Sequence, residues 1–523
     1  MKKIPTTTSS FRQIIEENYL YIDKTELIYN LISSDFYYFL ARPRRFGKSL
    51  LISTLSELFS GNRDLFKGLW IDSSDYSWAP YPVISLDFSS IDNSSSENFK
   101  KSLALRLELK AEEYAIDLTG SSTPGDKLYM LVTKLAQQSK VVILIDEYDY
   151  PLVSNITDIP VAQEILKALS SFFSILKSLN PLVHAIFITG VSKFAKASVF
   201  SGLNNLNDIS LDPIAATLLG FTEQELDTYF TSFITTLARL KGIPVEEIKN
   251  KTRHWYNGYR FSKVPEKVYN PFSVHYLLKK NEFTNYWFES GTPSFLIKIM
   301  TQQNCTLTDI EQFQFTTKSL GSFALDQLPL IPLLFQTGYL TINTYTPETD
   351  SYTLVFPNFE VKESFTLHLL GAFSQTDLAI IETIIPSLTS ALENNALEKF
   401  CTLLKSLFAH IPYQIHIAKE AYYHSLFQLL VTLIEFKSQS EIATDKGRID
   451  LVVITQKYIY IFEIKYNTPA EEALKQIEEH FYYRRYLLST KTIILVGIAF
   501  NSAKHEIAIT CASKILNRAT INS

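Results

Sequence analysis

The segment from Arg42 to Ser49 has the residue types and the order expected of a loop that binds phosphate groups. It reads Arg-Pro-Arg-Arg-Phe-Gly-Lys-Ser and follows an apolar run at 36–40, predicted as a strand, while a helical pattern covers 50–59. Backbone N–H groups of such a loop, together with the N-terminus of the next helix, attract anions. In this type of loop the lysine reaches the β- and γ-phosphates and the next hydroxyl binds Mg²⁺. Lys48 and Ser49 occupy these two positions, whereas Arg42 stands where the usual pattern has glycine.

A pair of acids follows a second buried strand. Val141 to Ile145 is a continuous apolar run, and Asp146 and Glu147 come directly after it. An aspartate at the carboxyl end of a parallel strand can hold Mg²⁺, directly or through water. The next acid can then polarise a water molecule that attacks the γ-phosphate. An acidic turn with no role in catalysis is the alternative interpretation.

Other polar residues could contact the same nucleotide. The strand predicted over 182–189 ends at Thr189, and Ser192 follows it. Either hydroxyl could sense the γ-phosphate, and ordinary turn chemistry is an equal alternative. Arg260 could contact nucleotide from a helical lid or anchor a loop, and its aromatic neighbours favour the second role.

A second cluster of acids with a lysine lies near the C-terminus. Asp450 starts one predicted strand, and Glu463 and Lys465 are two residues apart on the next, so they face the same side. Two acids beside a lysine are costly to bury unless they bind metal or pair with each other. Two carboxylates holding Mg²⁺, with a lysine that orients water, are what phosphodiester hydrolysis requires. A structural cluster of salt bridges is the alternative. Further candidates lie on the flanking helices, namely Glu420, His424, Gln476 and Tyr483.

These residues must be positioned by an α/β fold. Apolar strands alternate with amphipathic helices up to about residue 215, which indicates a parallel sheet with both faces covered. A helical pattern follows, and Thr222 with Glu225 forms a capping box at its start. We therefore predict a nucleotide-binding core over 1–215, a helical lid over 216–300, a mostly helical, winged-helix-like segment over 301–410 and an α/β domain over 411–523. The last is predicted to contain helices at 420–436 and 470–488 and strands at 449–454, 458–464 and 492–499.

The composition excludes several classes of protein. Of 523 residues, 46% are hydrophobic and 20% are charged, which is typical of folded rather than disordered chains. The formal net charge of −5 excludes a protein that coats nucleic acid through general positive charge. Cys305, Cys401 and Cys511 are far apart, so neither a disulfide framework nor a zinc site is expected, and the cytoplasm is the predicted location. We expect no secretory signal and no helix that spans a membrane.

The N-terminal motifs resemble the bacterial AAA-ATPase-like family. The resemblance rests on the Arg42–Ser49 loop, the acids after the strand at 141–145, and the segments at 187–192, 201–205, 255–261 and 268–273. The phosphate loop of that family has arginine where other loops have glycine. The resemblance implies an ATPase with ATP and Mg²⁺ as cofactors, in which Ser49 and Asp146 bind the metal and Glu147 is catalytic. The predicted nucleotide-binding residues are Arg42, Pro43, Arg44, Arg45, Phe46, Gly47, Lys48, Ser49, Leu50 and Thr189.

Residues 413–500 resemble the PD-(D/E)xK nuclease superfamily. Glu420, Asp450, Glu463 and Lys465 match its motif positions, although Ile449 stands where proline is usual. The resemblance implies that Asp450, Glu463 and Lys465 are catalytic and that Glu420, Asp450 and Glu463 bind metal. DNA or RNA would then be the substrate, yet acidic and basic residues nearly balance here and form no basic stripe.

The sequence therefore predicts an Mg²⁺-dependent ATPase coupled to a nuclease-like domain. Two other classes stay open. One is an ATP-dependent switch whose C-terminal domain is inactive and binds a partner, and the other is a scaffold in which nucleotide is only structural. The pattern also leaves oligomerisation open.

Overall fold

The computed structural model of the chain contains two compact units. The first consists of Met1–Thr292 with Phe313–Val361, and the second of Pro293–Gln312 with Lys362–Ser523. The predicted boundaries at 215, 300 and 410 stay predictions. The structure describes all residues except 1, 194–195, 201–202, 204, 290–295, 298–299, 301–313, 317–318, 320–328, 410–419, 435, 445–446, 504–505 and 517–523.

A parallel five-stranded sheet forms the centre of the first unit, with the order β2-β3-β4-β1-β5. Because helices cover both faces, β1 and β3 are buried along their whole length, as their continuous apolar sequence predicts. In this order β4 separates β1 from β3, so all three carboxyl ends meet at one edge of the sheet. The strands are β1 (Tyr37–Ala41), β2 (Val83–Asp87), β3 (Val141–Asp146), β4 (Val183–Gly190) and β5 (Asn207–Asp208).

Helices cover both faces of this sheet, and the helix predicted over 50–59 is Lys48–Phe59. Phe11–Glu16, Thr25–Ser34, Lys48–Phe59, Ser96–Glu113, Pro124–Leu135, Tyr150–Val153, Ile159–Leu179 and Lys196–Val199 are helical. By length and composition, one stretch of the described residues, Ile159–Leu182, could cross a membrane. This is weak evidence, because the core helix of a domain meets the same criteria and Phe173 on this helix packs against Phe88 beside the sheet.

A helical layer completes the first unit. Its core is made by helices that share a cluster of buried residues including Phe230, Tyr256 and Leu277. The capping box of Thr222 and Glu225 is present at the start of the first helix, as predicted. The helices are Glu223–Lys241, Val245–Tyr256, Pro271–Lys280, Tyr286–Glu289 and Leu330–Thr337, and an antiparallel sheet is formed by β6 (Gln314–Thr316), β7 (Thr341–Thr346) and β8 (Ser351–Val355).

The second unit is built on a five-stranded mixed sheet. Its order is β13-β12-β11-β10-β9, in which only the β11–β12 pair is parallel. The strands are β9 (Lys437–Thr444), β10 (Gly447–Ile454), β11 (Tyr458–Tyr466), β12 (Thr492–Ala503) and β13 (Glu506–Ile515), and the helices are Leu378–Glu393, Leu397–Phe408, Glu420–Leu433 and Ala470–Glu479. The unit boundary falls inside a further helix, Phe359–Ser374. The predicted α/β class, with a parallel sheet, a helical middle and a C-terminal α/β domain, is confirmed.

Two details of the predicted second unit are wrong. The prediction lacks the strands β9 and β13. The helix predicted over 470–488 ends at Glu479, and Phe481 has a φ of 53°, which a continuing helix does not allow.

The expectation that the chain has no disulfide is also wrong. Cys401, on the helix Leu397–Phe408, is bonded to Cys511 on β13. The two residues are 110 positions apart, so their spacing carries no signal. Their Cα atoms lie 6.5 Å apart because this helix packs against β13, which only the fold determines. Cys305 lies outside the described residues.

Candidate functional site

The loop between β1 and the helix Lys48–Phe59 turns sharply through two left-handed residues. Arg45 has a φ of 66° and Gly47 a φ of 96°. Glycine takes this conformation without a steric penalty, whereas arginine does not. Gly47 is also the N-cap residue, and no side chain of the described residues caps this helix. The helix N-terminus therefore keeps its partial positive charge at the loop.

A cavity of 690 Å³ lies against the loop, and it is large enough for a nucleotide. Residues 44–50 and Glu147 line its loop end, so the structure brings Lys48 and Glu147 to one space although 99 positions separate them (147 − 48). The N-terminal residues 5–9 and the lid residues Phe272 and Tyr276 line other parts of the wall. Four predicted residues, Arg42, Pro43, Asp146 and Thr189, are not among the described residues of the lining.

The Lys48 side chain spans the loop. Its ammonium group donates hydrogen bonds to the carbonyl oxygens of Arg42 at 3.1 Å and Pro43 at 3.0 Å. Burial lowers the pKa of Lys48, and the nearby carboxylates of Glu147 and Asp146 partly oppose this shift. The lysine therefore already lies at the loop end of the cavity, where a phosphate group could replace the carbonyl oxygens as its partner.

The acids after β3 occupy different environments. Asp146 is buried, and its carboxylate accepts a hydrogen bond from the Thr189 hydroxyl. Glu147 lies in the cavity wall with a φ of 52°, and its backbone N–H donates to the same hydroxyl oxygen at 3.4 Å. Burial raises the pKa of Glu147, whereas the Lys48 ammonium opposes the shift. Thr189 thus connects the two acids from behind the cavity wall.

The C-terminal residues converge on Glu463 in β11. Its side chain is only 2% exposed, and one carboxylate oxygen accepts hydrogen bonds from the Lys465 ammonium at 3.1 Å and from the Gln476 amide. The other oxygen, Oε2, is buried and has no hydrogen-bond partner among the described residues. Burial, followed by the negative charge of Asp450, raises the pKa of Glu463 to about 8, and Lys465 opposes this shift.

Asp450 and Glu420 complete this cluster. The Asp450 carboxylate accepts a hydrogen bond from the backbone N–H of Ile464 at 2.7 Å. One oxygen of Glu420 lies 3.8 Å from the Lys465 ammonium, and the other accepts a bond from the N–H of Tyr466 at 3.3 Å. The structure therefore brings all four predicted motif residues together. Within the described ranges, however, no group of three or more His, Cys, Asp or Glu side chains is arranged to hold a metal ion.

Comparison with known proteins agrees with both sites. Residues 5–200 match a family described as "Predicted AAA-ATPase", and residues 418–509 match the PD-(D/E)XK nuclease superfamily. An "Uncharacterized protein in vnfD 5'region" of Azotobacter chroococcum mcd 1 is 36% identical over 513 residues, which is 96% of each chain. The chain belongs to the AAA-ATPase-like proteins with a C-terminal PD-(D/E)XK nuclease-superfamily domain. Both predicted family resemblances are confirmed.

In this AAA-ATPase-like chain, the first arginine of the loop serves the fold. The Arg42 side chain is 1% exposed and points away from the cavity. Its guanidinium donates to the carbonyl oxygens of Ala41, Ser210 and Ala215 and lies 4.4 Å from the ring centre of Phe261. Only its backbone carbonyl reaches the loop lysine. Arginine at this position thus links the start of the loop to neighbouring backbone segments on the side away from the cavity.

Two further residues of the AAA-ATPase-like unit have structural partners. Arg260 donates to the carbonyl oxygens of Ser262, Val264 and Asn343, as expected for a loop anchor. Ser192 donates its hydroxyl and its backbone N–H to one oxygen of Asp149, each at 2.7 Å. The hydroxyl of Ser192 is thus engaged by a buried acid.

Sequence reasoning missed the roles of Asp149 and Tyr482. Asp149 is 1% exposed and accepts three hydrogen bonds from the turn after β4. Its place just after the Asp146–Glu147 pair could have been noticed. In the nuclease-like domain the buried Tyr482 side chain interacts with Gln476, and its hydroxyl lies 3.0 Å from His480 Nδ1. The predicted Tyr483 is partly buried and packs against the edge of the apolar core.

Proposed function

We propose that the first unit binds ATP with Mg²⁺ in the cavity beside the loop and hydrolyses it. The observation that carries this proposal is one cavity lined both by the loop, at 44–50, and by Glu147. Lys48 would neutralise charge on the β- and γ-phosphates, and Glu147 would polarise the attacking water. The Ser49 hydroxyl and Asp146, the latter through water, are the residues that would hold Mg²⁺. The hard oxygen donors of both suit this ion.

The loop lysine and the two acids test the ATPase proposal. We expect Lys48→Ala to abolish hydrolysis and weaken ATP binding by about tenfold or more, since a charged donor would be lost at the phosphates. We expect Glu147→Gln to keep binding but lower turnover by about 100-fold or more, because the general base is lost. Turnover is measured as phosphate release and binding by calorimetry. The exposed Lys67→Ala is the matched control, and normal turnover in Lys48→Ala would contradict the proposal.

We further propose that the second unit cleaves phosphodiester bonds in nucleic acid. The supporting observation is the buried Glu463 Oε2 without a partner in the described residues, beside the like charge of Asp450. A divalent cation would satisfy this oxygen and, by offsetting the negative charge of Asp450, favour the ionised form of Glu463 that binds metal. Lys465 would then stabilise charge on the phosphate, and Gln476 would orient Glu463 through its hydrogen bond.

The nuclease proposal is tested with Asp450→Ala. Wild type and variant are incubated with single- and double-stranded DNA and RNA in the presence of Mg²⁺ or Mn²⁺. We expect cleavage by the wild type and a loss of about 100-fold or more in the variant, because one of the two carboxylates that hold the ion is gone. The surface acid Glu479, which pairs only with Lys475 among the described residues, provides the control Glu479→Ala. No difference between wild type and Asp450→Ala on any substrate would contradict the proposal.

A second candidate is an ATP-dependent switch whose nuclease-like domain binds a partner without cleavage. It is favoured by the lack of a three-ligand metal group among the described residues and by the bonds that already join Glu463 to Lys465 and Gln476. Slow ATP turnover together with no Mn²⁺ binding at the second unit, measured by electron paramagnetic resonance, would support the switch over the nuclease.

A further inference from the structure

The outer side of the phosphate loop is held by residues from outside the central sheet. The Arg45 guanidinium lies 5.0 Å from the ring centre of Phe272. The Phe46 ring packs edge-on against Tyr259 at 4.7 Å and Phe261 at 5.3 Å. These partners come from the lid, which suggests that the lid helps to define the shape of the loop.

Trp287 makes the contact that acts on the loop backbone. Its indole N–H donates a hydrogen bond to the carbonyl oxygen of Arg44 at 2.9 Å. Arg44 and Arg45 line the cavity, whereas Trp287 is not part of the described lining. In a trans peptide the C=O and the following N–H point in opposite directions. Holding the Arg44 carbonyl toward Trp287 therefore directs the Arg45 N–H away from Trp287.

The position of Trp287 is itself fixed by a buried acid. The backbone N–H of Trp287 donates to Glu360 at 2.6 Å, and the other oxygen of that carboxylate accepts a bond from the Ser273 hydroxyl at 2.8 Å. Glu360 is fully buried in the first turn of the helix Phe359–Ser374. The indole ring also packs against Tyr339, with ring centres 5.2 Å apart. Such a buried network of bonds leaves the indole little freedom to turn.

We propose that Trp287 is a positioning residue for the triphosphate. By holding the Arg44 carbonyl outside the cavity, it turns the Arg45 N–H toward the β- and γ-phosphates, where this amide joins the donors of the helix N-terminus. The inference rests on the proposed ATP site and adds a residue that the loop motif does not contain. It assigns an effect on the phosphates, not on the base or the ribose.

The test compares Trp287→Phe with Trp255→Phe. The first substitution keeps a ring but removes the N–H donor, and the second makes the same change in a lid tryptophan that packs on Phe359 and not on the loop. Affinities for ATP, ADP and AMP are measured by displacement of a fluorescent ATP analogue from the full chain. Because a hydrogen bond contributes about a fivefold change in affinity, we expect Trp287→Phe to bind ATP and ADP about fivefold more weakly with AMP unchanged. Trp255→Phe should bind all three as the wild type does.

A structural role alone would weaken all three nucleotides together, so equal weakening or no change in Trp287→Phe would overturn the inference. If the proposed ATP site itself were wrong, the wild type would bind no nucleotide, so ATP binding by the wild type distinguishes the two failures.

If Trp287→Phe does not fold, the pair Glu360→Gln and Glu360→Ala replaces it. The glutamine keeps an acceptor for the backbone N–H of Trp287 and should preserve the ratio of ATP affinity to AMP affinity. The alanine removes this acceptor and should lower the ratio. An equal ratio in both variants would overturn the inference.

Discussion

Glu463 is an acid held in an environment very different from water. Its carboxyl group is buried, close to Asp450, and bonded through only one oxygen in the described residues. These conditions raise its pKa to about 8, from 4.5 in water. A group with such a pKa keeps its proton in the folded chain near neutral pH and loses it when the chain unfolds.

This pKa predicts how stability depends on pH. Between pH 4.5 and about 8 the folded state binds one proton that the unfolded state has lost, so the free energy of unfolding of the second unit falls as pH rises through this range. Below pH 4.5 both states are protonated, so the free energy of unfolding no longer changes with pH on account of this group. Hydrogen exchange of β11 peptides, measured without metal, should therefore show less protection at about pH 8 than at about pH 5. Glu463→Gln should flatten this dependence, and an unchanged slope would contradict the prediction.

At the scale of the element, the helix Ala470–Glu479 lies very close to β12. A Cβ atom at Gly497 would come within 2.2 Å of the Ala470 carbonyl oxygen and 2.8 Å of the Leu474 nitrogen. Both are backbone atoms, so no rotation of a side chain can make room. The same helix carries Gln476, whose amide donates a hydrogen bond to Glu463. The glycine therefore allows the helix to lie close enough to β12 for this hydrogen bond to form.

We predict that Gly497→Ala displaces this helix and loosens the site. Overpacking of this kind costs about 1–3 kcal/mol of stability, and we expect the upper part of that range because backbone must move. Urea unfolding monitored by circular dichroism measures the loss. Ser513→Ala, at an exposed position of the neighbouring β13, is the control and should change stability by less than about 0.5 kcal/mol. A Gly497→Ala variant as stable as this control would contradict the prediction, because the helix would then not lie as close to β12 as the structure shows.

At the scale of the whole molecule, each unit contains its own candidate site. The phosphate loop and Glu147 belong to the first unit, and the Asp450–Glu463–Lys465 cluster belongs to the second. The disulfide between Cys401 and Cys511 lies entirely in the second unit, where it joins a helix to the edge strand β13. All four tryptophans, Trp70, Trp78, Trp255 and Trp287, are in the first unit, so fluorescence can report on that unit separately.

We predict that reduction of the disulfide destabilises the second unit selectively. A native disulfide typically contributes about 2–4 kcal/mol by restricting the unfolded chain. With a reductant, or in Cys401→Ala/Cys511→Ala, β12 and β13 peptides should lose protection against hydrogen exchange. The midpoint of thermal unfolding of the first unit, followed by tryptophan fluorescence, should differ by less than about 1 °C between the chains with and without the disulfide, and it serves as the internal control. Equal protection with and without the bond would contradict the prediction.

Much of this architecture could be predicted because it is encoded in short stretches of chain. Apolar runs identify β1, β3 and β4, and the order of Gly47, Lys48 and Ser49 identifies the loop. The strands β9 and β13 could not be found in the same way, because β9 mixes polar and apolar residues and both lie at the edges of the sheet. Edge strands need no continuous apolar pattern, since they are less completely covered.

Periodicity and motif order are local properties, so the amino-acid order was enough to predict most of the element types and the two families. Which of those residues meet is a property of the folded chain. The strand order β3-β4-β1 brings Glu147 to the loop, and burial turns Arg42 inward to carbonyl oxygens of distant segments. The bond between Cys401 and Cys511 likewise follows from the packing of a helix on β13. Such contacts join positions far apart in the chain, and their spacing carries no signal because packing, rather than sequence distance, sets which atoms touch.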